Sequence, residues 1–207
     1  MATTLFIVIA YLIGSLSFAV VVSKAFGLPD PHTYGSGNPG ATNVLRTGNR
    51  LAALLTLAGD ALKGWIAVRF AEFYASTYGV GDAGIAGVAF AVFLGHLYPV
   101  YFGFKGGKGV ATAAGILLAL NAWLGLATLA TWLAMAAIFR YSSLAAITAA
   151  VAAPIYALFL LGANALALAV LGLALLLVAR HRENIRKLMA GQESRIGEKK
   201  KAAGATA

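Results

Sequence analysis

Cysteine is absent from all 207 residues. That excludes disulfides, thiolate metal sites and cysteine nucleophiles. Charge is scarce as well: 11% of residues are Asp, Glu, Lys or Arg, against about 25% in an average soluble domain. With seven carboxylates and three histidines in the whole chain, a dedicated metal cage is not expected, nor is a resident cofactor. The low hydrophobicity that disorder requires is missing too. What fills the chain instead is apolar, 60% of it, with a mean hydropathy of +0.82. A soluble fold of this length could not bury so much apolar surface, so the expected class is an all-α, polytopic integral membrane protein.

A membrane helix takes roughly 20 apolar residues, so the length accommodates roughly six to eight spans and leaves no room for a separate soluble domain. Seven apolar runs are visible, at about 4–24, 51–71, 83–101, 109–121, 123–139, 143–161 and 164–180. Asn121 and Asn164 mark two very short turns. The first run lacks a basic leader and reads as a retained helix. The fourth is too short for a full crossing; five spans with two re-entrant pieces is the alternative count.

Basic residues follow alternate runs. Lys24, Arg46 and Arg50 come after the first, Lys105 and Lys108 after the third, and Arg140 after the fifth. Arg180, Arg182, Arg186, Lys187, Arg195 and Lys199 to Lys201 come after the seventh. The opposite loops hold Glu72 and Asp82. The positive-inside rule then predicts about seven helices, one of them short, with the N-terminus outside and the C-terminus cytoplasmic. The net charge of +9 accordingly reports orientation and anionic headgroups rather than nucleic acid. Residues 192–207 read as a basic, disordered cytoplasmic tail.

Three polar stretches stand out, all on the expected cytoplasmic side. The first is Gly35-Ser36-Gly37-Asn38-Pro39-Gly40-Ala41-Thr42-Asn43, with Arg46 beyond it. Its glycines permit positive φ and close backbone approach, and amides turned inward form an anion-binding nest. A helix beginning near Ala41 would add its N-terminal dipole, and Arg46 a planar donor fork. A plain turn capped by Ser36 and Asn43 is the competing reading. The second runs from Gly95-His96 to Lys105-Gly106-Gly107-Lys108-Gly109 and on to Thr112. It resembles a phosphate loop but fails the Walker A spacing, which argues against magnesium-dependent nucleotide hydrolysis. Lys105 and Lys108 could equally be snorkelling at the interface.

The third stretch is Arg180-His181-Arg182-Glu183-Asn184-Ile185-Arg186-Lys187-Leu188, with Gly191 and Glu193 after it. His181 and Asn184 share a helix face, suited to orienting or deprotonating a hydroxyl, or simply to a basic interfacial helix. Asp60 and Lys63 lie three apart inside the second run, where charges pair with one another or face a polar interior. Ser142 and Ser143 open the sixth run beside Arg140, as cap or as ligand contact. The residues alone leave an enzyme, an organic-phosphate transporter and a structural membrane protein open. Their shared side favours a membrane-embedded site for phosphate-bearing ligands.

GSGNPGATN with Arg46, GHLYPVYFGFKGGKGVAT, and RHRENIRKL with Gly191 and Glu193 closely resemble, in order and spacing, the three motifs of the acyl-phosphate-dependent glycerol-3-phosphate acyltransferases of bacteria. Tyr98 and Tyr101 stand where phenylalanine is common in that family. The resemblance implies a single acyltransferase domain over 1–191 in the bacterial inner membrane, with its site facing the cytoplasm. It implies acyl transfer from acyl phosphate to the 1-hydroxyl of sn-glycerol 3-phosphate, yielding lysophosphatidic acid and phosphate. The implied catalytic residues are Ser36, His181 and Asn184. The implied substrate-binding residues are Gly35, Gly37, Asn38, Gly40, Thr42, Asn43, Arg46, Lys105, Gly106, Gly107, Lys108, Gly109 and Ser142. Membrane lipid surrounds the protein, and a soluble enzyme that makes acyl phosphate is the implied partner.

Overall fold

The computed structural model describes residues 1–198, all of whose regular elements are helical. The first apolar run is split. Helix α1 (Ala2–Gly14) and helix α2 (Phe18–Ala25) meet at a 41° bend. Ser15 Oγ bonds back to the Tyr11 carbonyl at 2.9 Å, the local side-chain competition that weakens a helical ladder. The Leu16 carbonyl, left over at the break, accepts from Lys63 Nζ at 2.6 Å.

A short helix, α3 (Ala41–Leu45), precedes the long α4 (Arg50–Tyr78). Asn49 caps α4 by accepting from Ala52 N at 2.9 Å. Helix α5 (Asp82–Leu97) returns, and a single 3₁₀ turn (Val100–Phe102) opens the glycine-lysine loop. Then follow α6 (Val110–Leu120), α7 (Ala122–Phe139), α8 (Ser142–Leu161), α9 (Ala165–Arg180) and α10 (Arg182–Met189). Asn121 and Asn164 make the two short turns as N-caps, accepting from Leu124 N at 3.1 Å and Ala167 N at 3.0 Å. Each satisfies a donor that the start of a helix leaves free.

By length and composition, four helical stretches can cross a membrane: Arg50–Tyr78, Asp82–Phe102, Ala122–Phe139 and Ser142–Leu161. The count reaches six if the bent pairs α1/α2 and α9/α10 each make one crossing. The remaining run is α6, whose 11 residues rise about 16 Å, roughly half of a 30 Å hydrocarbon core. It packs against α4 and α7 inside the bundle. Large apolar side chains such as Phe73, Trp123, Phe159 and Leu168 point outward, as a lipid-facing surface requires. Inside, alanine and glycine dominate the contacts, because helices in lipid associate by close packing rather than by escape from water. Val68, Val92, Phe93, Leu97, Ile116 and Leu173 anchor the larger apolar cluster.

Candidate active site

Four segments that are distant in sequence converge at one end of the bundle. His32 Nε2 donates to the Lys105 carbonyl at 3.0 Å. Arg46 Nη2 donates to Ser194 Oγ at 3.0 Å. Lys108 Nζ donates to Asn184 Oδ1, and Ser143 Oγ donates to Glu193 Oε1 at 2.7 Å. The first stretch and its flank thus meet the second, both meet the third and the segment after it, and Glu193 ties these to the start of α8.

Asn43 organises the first stretch from within. It is fully buried; its Oδ1 accepts from Ser36 N at 3.0 Å, and its Nδ2 donates to the Pro31 and Tyr34 carbonyls at 2.8 and 3.2 Å. Gly35 lies at φ +61°, and a Cβ there would fall 2.2 Å from Asn43 Oδ1 and 3.0 Å from Arg46 Cδ. Only glycine lets the chain fold over Asn43 and carry Ser36 past Arg46. Ser36 and Gly37 are exposed at the tip, Asn38 and Gly40 half-exposed behind it, and Thr42 exposed on α3. Asn43 is therefore a brace, and the candidate ligand contacts are the residues that it holds out. Asn43→Ala would leave Ser36 N–H and two carbonyls without partners, each at about 1–3 kcal/mol where water is excluded. We expect a lowered unfolding temperature in detergent, measured by scanning fluorimetry. An unchanged unfolding temperature would remove Asn43 from this role.

Arg180 orders the second stretch. Its Nη2 donates to the Gly106 and Gly107 carbonyls at 3.0 and 3.2 Å, its Nε to Gly107 at 3.3 Å, and its guanidinium stacks 5.6 Å from the Tyr98 ring centroid. In a trans peptide the N–H opposes the carbonyl. The Gly107 N–H accordingly points away from Arg180, and it donates to the His96 carbonyl at 3.2 Å. That amide, expected from the sequence to face a ligand, is engaged within the protein. Gly106, Gly107 and Gly109 are buried, Lys108 is half-buried and Lys105 is exposed.

The third stretch bends by 57° at His181, where α9 passes into α10. His181 is buried and its Nδ1–H donates to the Leu177 carbonyl at 2.8 Å, which fixes the ring and turns Nε2 the other way. Asn184, one turn on, bridges Lys108 and Glu193, its Nδ2 donating to Glu193 Oε1 at 2.8 Å. Gln192 to Glu198, expected as the start of a disordered tail, lie across this end. Arg195 Nε donates to Tyr141 Oη at 3.1 Å, and Ile196 exchanges backbone and side-chain bonds with Arg140. Residues 199–207 of the expected tail lie outside the described residues. Ser142 is half-buried at the start of α8, beside the bonded Ser143.

The electrostatics favour an anion. Burial, with the cations Arg180, Lys187 and Arg46 adding to it and Glu193 opposing, pushes the Lys108 ammonium below the ordinary lysine range. The His32 backbone N–H, hydrogen-bonded to the Asp30 carboxylate, holds that carboxyl below its usual value. Among the described residues, no group of three or more His, Cys, Asp or Glu could hold a metal ion.

The model of the family described as glycerol-3-phosphate acyltransferase matches residues 4–191. The chain belongs to that family. It is 67% identical to the glycerol-3-phosphate acyltransferase of Cupriavidus pinatubonensis, over 97% of this chain and 100% of that one. With the enzyme of Ralstonia nicotianae the identity is 68%, over 97% of both chains. A crystal structure of PlsY (YgiH), an integral membrane glycerol 3-phosphate acyltransferase in its glycerol 3-phosphate form, aligns with a TM-score of 0.87 at 38% identity. That alignment covers 95% of this chain and 96% of the other. The lysophosphatidic acid form aligns at 0.86. This chain is thus a multi-pass membrane acyltransferase, and the transporter and structural readings fall away.

Sequence reasoning included Arg180 and Tyr98 in their polar stretches but gave neither a role. A basic residue at a helix end reads as an interfacial anchor. Nothing in its neighbours announces two carbonyl partners more than seventy residues away.

Proposed function

We propose that the acyltransferase draws its acyl group from an acyl phosphate and passes it directly to the 1-hydroxyl of sn-glycerol 3-phosphate. The hydroxyl oxygen bonds to the acyl carbon, the carbon–oxygen bond to phosphate breaks, and the leaving phosphate takes the hydroxyl proton. Lysophosphatidic acid and inorganic phosphate are the products. An acyl phosphate is already activated, so the chemistry needs two phosphates held in register more than it needs a nucleophile. Positioning of that kind supplies about 7–11 kcal/mol of barrier lowering.

The observation that carries this reading is the meeting of the three stretches around Lys108 and Asn184, next to an apolar cavity. That cavity is lined by Val110 and Leu177 beside the site and by Ala146, Trp132, Ala150 and Leu117. Val110 follows the glycine loop and Leu177 bonds His181, so an acyl chain in the cavity would present its carbonyl carbon to the site. Arg46, Lys105 and Lys108, with the free amides of the two glycine stretches, neutralise and cradle the phosphates. Ser36 holds an anion or the developing oxyanion. His181 and Asn184 orient glycerol 3-phosphate with Ser142, and Glu193 braces Asn184. In this reading α6 completes seven spans with the N-terminus outside. The site then faces the cytoplasm, where a soluble enzyme supplies acyl phosphate.

Purified protein given palmitoyl phosphate should release phosphate and form lysophosphatidic acid only when glycerol 3-phosphate is present, and should not use palmitoyl-CoA. Intact-protein mass spectrometry after exposure to palmitoyl phosphate should find no acyl adduct. Turnover with palmitoyl-CoA alone would overturn the donor. A Ser36 adduct that glycerol 3-phosphate discharges would overturn direct transfer.

A further inference from the structure

One buried polar cluster takes no part in the reaction just described. Asp60 and Lys63 on α4 and His96 near the end of α5 are 2%, 3% and 8% exposed. Lys63 Nζ stands 2.8 Å from Asp60 Oδ1 while donating to the Leu16 carbonyl at the α1/α2 break. His96 Nδ1 faces the same carboxylate oxygen at 3.5 Å and has no hydrogen-bond partner among the described residues. Charges inside a membrane bundle are expensive and mark function more often than not. A pair serving only to staple α4 to the broken first span would not need the imidazole.

The other side of His96 meets the glycine loop. Its carbonyl accepts the Gly107 N–H at 3.2 Å. A Cβ on Gly107 would fall 2.3 Å from His96 Nε2, and one on Gly106 would fall 2.1 Å from the His96 carbonyl oxygen. The peptide unit between Gly106 and Gly107 is therefore held from both sides, by Arg180 on its oxygen and by the His96 backbone on its nitrogen, with the imidazole packed beneath Gly107. Lys108 is the next residue. A shift of this turn would carry the Lys108 ammonium away from Asn184.

We propose that His96, oriented by the Asp60–Lys63 ion pair, is a positioning residue that sets the Gly106–Gly107 turn and through it the phosphate-binding register of Lys108. The pair is neutral as a unit and anchored to the Leu16 carbonyl, so it fixes the ring without adding net charge beneath an anion site. The inference rests on the proposed phosphate-binding role of the second stretch.

The variants His96→Asn and His96→Gln separate the two faces of the ring. The asparagine amide reaches where Nδ1 stands and withdraws from Gly107; the glutamine amide reaches where Nε2 stands. Steady-state kinetics and thermal unfolding would be measured in the same detergent, with whichever acyl donor the wild-type protein uses. A wrong donor assignment then shows in the wild-type protein alone and leaves this test intact. His96→Asn should raise KM for glycerol 3-phosphate and lower kcat/KM by about a hundredfold, the cost of misplacing a reacting group by about 1 Å. His96→Gln should recover at least tenfold of that loss. Unchanged kinetics in His96→Asn would overturn the proposal. So would equal losses in both variants that follow an equal fall in unfolding temperature.

A double-mutant cycle tests the contact itself, whatever either variant does to stability. In the His96→Asn background Nε2 no longer opposes a methyl group on Gly107, so Gly107→Ala should cost at least tenfold less than in the wild type. Additive losses would overturn the proposal.

Discussion

Replacing Lys108 by methionine is expected to lower kcat/KM for glycerol 3-phosphate by about a hundred- to a thousandfold, the range for losing one aimed charge-stabilising donor in a water-poor site. Methionine is also unbranched and of similar length, so the loss should appear in turnover and not in the unfolding temperature. Lys105, the other lysine of the loop, is exposed, where water weakens any charge, and cannot substitute. The pH profile gives an independent readout. Burial lowers the Lys108 pKa, and the neighbouring cations push the same way. The ammonium is the form that binds phosphate, so the free enzyme loses affinity as pH rises through this lowered value. The alkaline limb of kcat/KM, which reports the free enzyme, should therefore begin below the ordinary lysine range of about 10.4. In Lys108→Arg that limb should vanish, because a guanidinium stays protonated, at whatever reduced rate its planar fork permits. A Lys108→Met enzyme within threefold of wild type would refute the assignment. So would an alkaline limb that persists in the arginine variant.

Gly107→Ala should cost about a hundredfold in kcat/KM, again the scale of a displacement of about 1 Å. The obstacle is space rather than backbone strain. Besides His96 Nε2, the added Cβ would stand 2.9 Å from the Pro39 carbonyl oxygen, backbone of the first stretch that cannot swing aside like a side-chain end. The methyl group therefore drives the two phosphate-suited stretches apart. Gly81→Ala is the matched control: it sits at the N-cap of α5 with φ −80°, and a Cβ there meets nothing within 4 Å. Kinetic assay of both variants, with circular dichroism to verify helix content, decides the matter. Equal activity in the two alanine variants would mean that the stretches do not need their close approach.

Much of this protein is legible in its residues because membrane helices are local objects. The runs at 51–71, 83–101, 123–139, 143–161 and 164–180 correspond to α4, α5, α7, α8 and α9. Backbone groups in lipid must be bonded within their own segment, so apolar length translates directly into helix. Asn121 and Asn164 were readable as turns because a cap acts over three residues. The three polar stretches were readable because glycine clusters and cations have few other uses at a membrane face.

Other features exist only in the folded chain. The first run hides a 41° break, since hydropathy is blind to the Ser15 back-bond and to a Lys63 that collects the leftover carbonyl. Asn43 looks like a ligand contact in sequence and is a buried brace in the fold, because its three partners lie up to twelve residues away on a folded loop. Ser194 to Ile196 look like tail, yet Ser194 accepts from Arg46 and Ile196 pairs with Arg140. The roles of Arg180 and His96 depend on which glycine carbonyls and amides face them. Sequence by itself determined most of the helices and the chemical character of the three polar stretches, because both follow from short-range spacing. Only the tertiary structure decided which polar groups are engaged by the protein and which are left for a substrate, because most such pairings join groups from separate helices and loops.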